Sequence, residues 1–161
     1  MQNETFPYRN DFVAETSELT LEHADRLPST VVQSSGARQP EEIPAGNACM
    51  LEPQGDAPAR IVLDFGEELV GWLRLAVTTE GGARLRLRYG EDLAEALRDE
   101  PYEAAWVELP EDVFELHPGE QDLRVDGRRA FRYLRMEVWE KPVTLRQAVL
   151  DFTHAPLEDI G

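Results

Sequence analysis

Apolar and polar residues alternate along much of the chain from residue 60 onward. In residues 61–65, 72–77 and 84–89, every second side chain is apolar. Because successive side chains of a β-strand point to opposite faces, this period of two predicts strands with one buried and one solvated face. A run of good helix formers at 93–97 allows only one helical turn. The chain is therefore predicted to consist almost wholly of β-strands.

Further strands are predicted in the second half of the chain, where glycine and proline interrupt the alternation. They fall at 114–116, 123–125, 130–139 and 145–152. The Gly81-Gly82 pair is a turn signal, which predicts a β-hairpin over residues 72–89. About eight short strands joined by turns are typical of an antiparallel β-sandwich. We therefore predict an all-β fold, an antiparallel sandwich of the jelly-roll or galactose-binding-like type.

The first third of the chain is patterned more weakly. Residues 34–46 are rich in residues that favour loops, and they predict a long connection. Short alternating stretches at 16–23 and 48–51 allow one strand each. We expect residues 1–57 to form an N-terminal arm with one or two short strands and a long loop, and residues 58–161 to form the β-sandwich domain.

The charge of the chain argues against two classes of partner. Its 161 residues include 32 acidic and 16 basic side chains, for a formal net charge of -16. Nucleic acid binding needs clustered cations that neutralise phosphates, and anionic membranes attract polybasic segments. We therefore expect no nucleic-acid partner and no membrane. No secretory signal is visible at the N-terminus, which predicts a cytoplasmic protein.

Sequence motifs of common catalytic and metal sites are absent. The chain has no GxGxxG, no phosphate-binding P-loop, no HExxH and no GxSxG. Cys49 is the single cysteine, and the three histidines lack the spacing of zinc ligands. Neighbouring carboxylates are frequent, but 32 acids produce such neighbours by chance. A small hydrolase in its own right is therefore a minor alternative.

Charge is distributed unevenly along the sequence. Residues 99–122 carry nine acids and no base, whereas residues 123–146 carry seven bases and three acids. Segments of opposite sign can pair across strands, with about 0.2–1 kcal/mol per pair. Loop carboxylates can also hold calcium, and we take Glu91 and Asp92 as a speculative calcium site. Calcium is the one cofactor that we consider.

Five residues are candidates for ligand binding. Trp72 lies on the solvated face of its strand by parity, where it can stack on a sugar ring or be covered by a loop, the N-terminal arm or a neighbouring domain. Tyr102 and Trp106 lie in the acidic segment with Asp99 and Glu103. Aromatic rings beside carboxylates that accept hydroxyl protons suit a carbohydrate. We identify no catalytic residue.

Three segments of the chain together resemble one protein family. They are Asp64-Phe65-Gly66 at the end of a strand, Tyr89-Gly90-Glu91 at the close of the next, and Arg129-Ala130-Phe131-Arg132-Tyr133 in a late strand. Their order and spacing, over roughly residues 58–155, are similar to those of the N-terminal β-sandwich of bacterial α-L-rhamnosidase-like glycoside hydrolases. Each motif is weak alone, and the resemblance depends on their occurring in this order.

The resemblance implies a jelly-roll-like domain placed before an (α/α)₆ barrel, and in that family the barrel holds the catalytic acid and base. No helical repeat occurs in this sequence, so no catalytic residue is carried over. We therefore expect a non-catalytic accessory domain of a glycoside hydrolase. Its partner would be a catalytic (α/α)₆ domain, which it packs against or presents, or a homologous subunit.

The alternative is an autonomous carbohydrate-binding module for rhamnose or a related sugar, with or without calcium. Some relatives of this sandwich bind rhamnose with calcium through an Asp-Asn pair in a loop, and no Asp-Asn step occurs in this chain. The corresponding loop runs from Asp92 to Asp112. An exposed aromatic ring beside converging polar groups would favour the binding module, whereas a large apolar patch would favour a missing partner domain.

Overall fold

Ten β-strands and one short helix make up residues 22–99 and 111–154, the parts of the chain that the computed structural model describes. The strands are β1 (Glu22–Arg26), β2 (Thr30–Ser35), β3 (Ala37–Arg38), β4 (Cys49–Leu51), β5 (Ala59–Thr79), β6 (Ala83–Gly90), β7 (Glu111–Leu116), β8 (Gly119–Arg124), β9 (Arg129–Trp139) and β10 (Val143–His154). The helix α1 spans Leu93–Leu97, and a 3-10 turn spans Pro40–Glu42. The strands pair antiparallel, as the alternation predicts.

The long strand β5 belongs to two sheets. Up to Gly71 it pairs with β2 and β9, and β6 and β7 follow beyond β9. From Gly71 to Thr79 it pairs with β8 and β10, and β1 and β4 also pair with β10, with β3 beyond β4. We call the β2-β5-β9-β6-β7 group the first sheet and the β8-β5-β10 group, with β1, β4 and β3, the second sheet. Their inward side chains form one buried cluster, so the fold is the predicted β-sandwich.

The strand β5 is irregular at Gly66, five residues before its pairing passes from β9 to β10 at Gly71. Its pairing register with β9 shifts between Asp64 and Leu69. Gly66 has a φ of 89°, in the left-handed region that glycine adopts without steric cost. Its N–H donates to Asp64 Oδ1 at 2.7 Å. An irregularity of this kind bends a strand and increases its local twist, so the Asp64-Phe65-Gly66 motif bends β5 ahead of the change of sheet at Gly71.

The core consists of the apolar side chains that alternate along the long strands. Leu63 and Leu73, in the first-sheet and second-sheet parts of β5, are both fully buried. Phe131 of β9 lies among aromatic rings, with ring centroids 5.3 Å from Phe65 and 5.1 Å from Tyr89. Burying a large apolar side chain contributes about 1.5–3 kcal/mol. The shared cluster of buried side chains therefore holds the two sheets together.

The hairpin predicted over residues 72–89 is wrong. Gly81-Gly82 does make the connection from β5 to β6, but β6 pairs with β7 and β9 and not with β5. The chain crosses from the second sheet to the first here. The three residues between the strands are long enough to span the ~10 Å between packed sheets. A local turn signal does not distinguish such a crossing from a hairpin. The connections from β7 to β8 and from β9 to β10 also join different sheets.

The N-terminal region contributes more strands than the one or two expected before residue 57. Between Glu22 and Leu51 the structure has four, of which β4 matches the stretch predicted at 48–51. The side chains of β2 are mostly exposed, so this edge strand is added through its backbone and lacks the alternation that reveals a buried strand. Ile43, Cys49 and Leu51 are buried in the shared core. Residues 22–51 are thus built into both sheets.

The short helix α1 lies on the first sheet, packed against β6 and β9. Gly90, at the end of β6, permits this approach. A Cβ atom there would stand 2.5 Å from the backbone nitrogen of Ala96 and 2.6 Å from the carbonyl oxygen of Asp92. The helix therefore sits closer to the sheet than a larger residue at position 90 would allow. Within the described ranges, no helix has the length and apolar character needed to cross a membrane.

Candidate functional site

The structure separates the predicted ligand-binding residues. Three of the five lie outside the described residues: Tyr102, Glu103 and Trp106. Asp99 follows α1 and lies over the outer face of the first sheet, where it contacts Arg135. Trp72 lies on the outer face of the second sheet, since its neighbour Leu73 points into the core. Asp99 and Trp72 therefore do not belong to one site.

Glu91 and Asp92, the speculative calcium ligands, form the start of α1. Asp92 is the N-cap residue, and its Oδ1 accepts a hydrogen bond from the Glu95 N–H at 2.8 Å. Glu95 Oε2 in turn accepts from the Glu91 N–H at 2.7 Å. This reciprocal arrangement is similar to a capping box, which satisfies donors at the end of a helix. Helix capping therefore accounts for the position of both residues.

Metal-ligating side chains do not gather in the described ranges. Among residues 22–99 and 111–154, no group of three or more His, Cys, Asp or Glu side chains is placed to hold a metal ion. Calcium takes six to eight oxygen ligands, and the described residues do not gather such a set around Glu91 and Asp92. Calcium binding by this chain therefore stays a prediction.

A buried ion pair occupies the outer face of the first sheet, and it was not foreseen from the sequence. Arg135 Nη2 lies 2.7 Å from Glu137 Oε1, and each side chain is 1% exposed. Arg135 also donates to Asp99 Oδ1 at 2.5 Å and to the carbonyl of Leu97 at 3.1 Å. The end of α1 and the residues that follow it thus cover a charged group that strand parity alone would place in solvent.

Two further arginines hold Glu137. Arg60 donates to Oε1 from Nε at 3.0 Å and from Nη2 at 2.8 Å. Arg86 donates to Oε2 from Nε at 3.0 Å and from Nη2 at 2.7 Å. Strand pairing sets this geometry, because Glu137 in β9 is the direct partner of Arg60 in β5 and of Arg86 in β6. Oε1 thus accepts two hydrogen bonds from Arg60, and Oε2 accepts two from Arg86. Such charge-assisted hydrogen bonds are among the strongest in proteins.

The carboxylates of this network stay ionised. Burial raises the pKa of Glu137, but hydrogen bonds from Arg135 and Arg86 outweigh it and hold that pKa below its ordinary value. The hydrogen bond from Arg135 likewise lowers the pKa of Asp99. The general acid of a glycosidase needs a carboxyl group whose pKa is raised. Neither residue has that property.

Trp72 is partly covered on the outer face of the second sheet. The imidazole of His23 in β1 stacks on it, with ring centroids 6.3 Å apart and an interplanar angle of 10°. His23 is positioned by Asp151, whose Oδ1 lies 2.9 Å from Nδ1. The Cζ atoms of Arg124 and Arg128 lie 5.2 and 5.6 Å from the Trp72 ring centroid. Trp72 is thus the centre of a cluster of one histidine and two arginines, the Trp72 cluster.

A second tryptophan is arranged similarly on the first sheet. Arg84 and Arg86 lie over the ring of Trp139, with Cζ atoms 5.0 and 4.8 Å from its centroid. Their guanidinium groups are attracted to the ring electrons, with about 0.5–1 kcal/mol at an exposed site. Val113 stands beside them and is 50% exposed. Each sheet therefore carries an arginine-covered tryptophan on its outer face.

Two concavities lie on the second sheet and at its edge. A groove of 330 Å³ runs beside the Trp72 cluster, between β5, β8 and β10. A cavity of 570 Å³ lies near the turn between β9 and β10 and includes Lys141, the only lysine of the chain. Met50, 37% exposed, lines the same cavity. Trp72 lies beside the first of these concavities, which charged and polar side chains line.

The sequence matches a known domain family over residues 45–154. That family is described as the glycosyl hydrolase family 78 alpha-rhamnosidase N-terminal domain. No curated protein sequence matches the chain.

Two solved structures share the fold. One is a rhamnosidase from Klebsiella oxytoca with rhamnose bound, which is 22% identical with a TM-score of 0.66, over 88% of this chain and 31% of that chain. The other is a family 78 rhamnosidase of Bacillus sp. GL1, which is 20% identical with a TM-score of 0.55, over 68% of this chain and 11% of that chain. At these identities the likeness is one of fold.

The chain spans about a third or less of the length of both enzymes. The family match, in contrast, extends over more than half of the chain and includes β5 to β10, with the strands that form the shared core. It also contains the three motifs that carry the resemblance in the sequence. This protein therefore belongs to the glycosyl hydrolase family 78 α-rhamnosidase N-terminal domain family.

Proposed function

We propose that this chain is the accessory β-sandwich of a rhamnosidase-type glycoside hydrolase, and that it packs against or presents a catalytic domain without carrying out catalysis itself. The family match over residues 45–154 is the observation that carries the proposal. Its partner would be a catalytic (α/α)₆ domain or a homologous subunit. The role is structural support of another domain, and calcium is not needed for it.

The chemistry of the described residues supports a non-catalytic role. A glycosidase places two carboxyl groups about 5–9.5 Å apart, one of them protonated at working pH. Asp64, Asp99 and Glu137 each have a lowered pKa because they accept hydrogen bonds from arginine side chains. These carboxylates are held as acceptors in ion pairs, so they are unsuited to donating a proton to a leaving group.

A turnover assay tests the absence of catalysis. The purified chain is incubated with a panel of aryl α-L-rhamnosides, with the Klebsiella oxytoca rhamnosidase as the positive control. We expect no release of the aryl group above buffer. Turnover that stays with the protein through two further purification steps would overturn the non-catalytic part of the proposal.

A chimera tests the supporting role. The chain replaces the segment of the Klebsiella oxytoca rhamnosidase to which it aligns, which is 31% of that enzyme. The matched control is the same enzyme with the segment deleted. We expect the chimera to retain more rhamnosidase activity than the deletion. A folded chimera that is no more active than the deletion would count against a supporting role.

Titration with L-rhamnose, with and without calcium, tests the alternative of an autonomous binding module. Under the accessory proposal, rhamnose at millimolar concentration produces no heat and no chemical-shift change. Saturable rhamnose binding that places shifts beside Trp72 would favour the binding module instead.

A further inference from the structure

Three arginines converge on the outer face of the second sheet, although the chain carries a net charge of -16. Arg74 in β5 and Arg124 in β8 are direct cross-strand partners. Arg128 follows in the loop after β8, and both it and Arg124 lie over Trp72. Like charges placed directly opposite each other destabilise a sheet. The three guanidinium groups therefore create a local excess of positive charge on this face, which a negatively charged group would neutralise.

Among the described residues, acceptors neutralise or bind only part of this positive charge. Arg74 Nη2 donates to Asp25 Oδ1 at 2.5 Å. Arg128 makes one long hydrogen bond, of 3.5 Å, to the carbonyl of Thr153. Arg124 has an exposed side chain, and its contact within the described ranges is the face of Trp72. Its guanidinium therefore lies over the ring and presents its donors to solvent.

The groove of 330 Å³ beside the Trp72 cluster opens directly onto these donors. This volume is near the lower end of the ~300–1,000 Å³ typical of small-molecule sites. The groove is lined by two guanidiniums, one carboxylate, one amide and an apolar floor: Arg74, Arg124, Asp122, Gln147, Ala76 and Val149. The site can therefore meet a negative group, several hydroxyls and an apolar surface at once.

We propose that this groove binds a uronic acid residue, a sugar ring that carries a carboxylate. Arg124 and Arg74 recognise the carboxylate, because the planar guanidinium fork matches its two oxygens. Gln147 donates to and accepts from ring hydroxyls, and Asp122 accepts from them. Ala76 and Val149 contact the C–H surface of the ring. The site is separate from the accessory role, which neither requires nor forbids it.

The test is an NMR titration of the 161-residue chain with sodium D-glucuronate at constant ionic strength. D-glucose, which has the same ring with a hydroxymethyl group in place of the carboxylate, is the matched sugar. Acetate supplies the carboxylate without the ring, and L-rhamnose supplies a neutral ring. We expect saturable shifts at Gln147, Val149 and the Trp72 indole with glucuronate, and at least tenfold weaker binding of the other three compounds.

The variant Arg124→Gln removes the charge and the fork while leaving the strand in place. We expect it to weaken glucuronate binding at least tenfold, which is about 1.4 kcal/mol. The matched control is Arg84→Gln, which removes an exposed arginine from above Trp139 on the opposite sheet. Its glucuronate affinity is expected to equal that of the unmodified chain. Circular dichroism confirms that both variants are folded.

Several outcomes would overturn the proposal. Equal binding of glucuronate and glucose, or of glucuronate and rhamnose, would show that the carboxylate is not recognised. Equal binding of acetate would show that the ring is not recognised. Unchanged affinity in folded Arg124→Gln, or shifts confined to the first sheet, would place the site elsewhere. The failure of this site would leave the chimera and turnover tests of the accessory role unaffected.

Discussion

Glu137 and Arg135 form an ion pair from which water is almost excluded. Glu137 Oε1 lies 2.7 Å from Arg135 Nη2, and both side chains are 1% exposed. Both residues lie in β9, two positions apart, so their side chains leave the strand on the same face. Removing one member of such a pair leaves the other as an uncompensated buried charge. The pair is therefore the most sensitive point on the outer face of the first sheet.

We expect Glu137→Gln to lower the free energy of unfolding by about 3 kcal/mol or more, because it leaves three arginines facing a neutral amide. Urea denaturation monitored by tryptophan fluorescence measures the change. The control is Glu111→Gln, which removes the 43% exposed partner of Arg88 and is expected to cost under about 1 kcal/mol. Equal losses in the two variants would contradict a buried, strongly coupled network.

The stability of the protein should fall in acid, in part through Glu137. Its folded pKa lies below the ordinary value of 4.5, so the unfolded chain takes up the proton first as the pH falls. The stabilisation is therefore complete above the unfolded pKa and is lost as the pH falls through the folded pKa. Urea midpoints from about pH 7 to about pH 3 measure this loss. Glu137→Gln should show a shallower decline, and parallel curves would refute the assignment.

Gly90→Ala should destabilise the fold by more than about 2 kcal/mol, since backbone atoms occupy the space of the new methyl group. Those atoms belong to Asp92 and Ala96, at 2.6 and 2.5 Å, and cannot move without shifting α1. Gly82→Ala is the matched control, because a Cβ there would meet only the Leu116 carbonyl oxygen at 3.8 Å. We expect this control to change stability by less than about 1 kcal/mol. Thermal denaturation of both variants distinguishes the two cases.

Cys49 should be unreactive in the folded protein. Burial, together with the nearby charge of Glu41, raises the pKa of its thiol to about 11, and only the thiolate attacks a disulfide reagent. At neutral pH we expect Ellman's reagent to release no colour from the native chain and one equivalent after unfolding in urea. Rapid labelling before unfolding would show that β4 opens readily. Cys49→Ser supplies the blank for both states.

Residue alternation was sufficient to predict the long strands, because their inward side chains build the core. Leu63, Phe65 and Leu73 are buried as their parity in β5 predicts. The pairing of those strands was not predictable from the same pattern. Gly81-Gly82 is equally suited to a hairpin and to a crossing between sheets. The edge strands before Ala59 are held by backbone hydrogen bonds, which do not require apolar and polar side chains to alternate.

For the candidate sites, too, the sequence predicted some features and not others. Parity placed Trp72 on an outer face, where the structure also has it, but could not show that His23 would stack on it. The carboxylate of Asp92 looked like a metal ligand in the sequence, and the structure uses it as a helix cap. Glu137 was one of 32 acids in the sequence. Its significance depends on the register of β5, β9 and β6, which brings Arg60 and Arg86 opposite it.

Because β5 pairs in both sheets, its position also affects the strand register of the whole sandwich. A slip of one residue turns every side chain of a strand to the opposite face. Because β5 pairs in both sheets, a slip within it would misplace the apolar rows of both at once, and neither sheet could correct the error alone. The two parts meet at Gly71, which pairs with β9 in the first sheet and with β10 in the second. The registers of the two sheets are therefore coupled through β5.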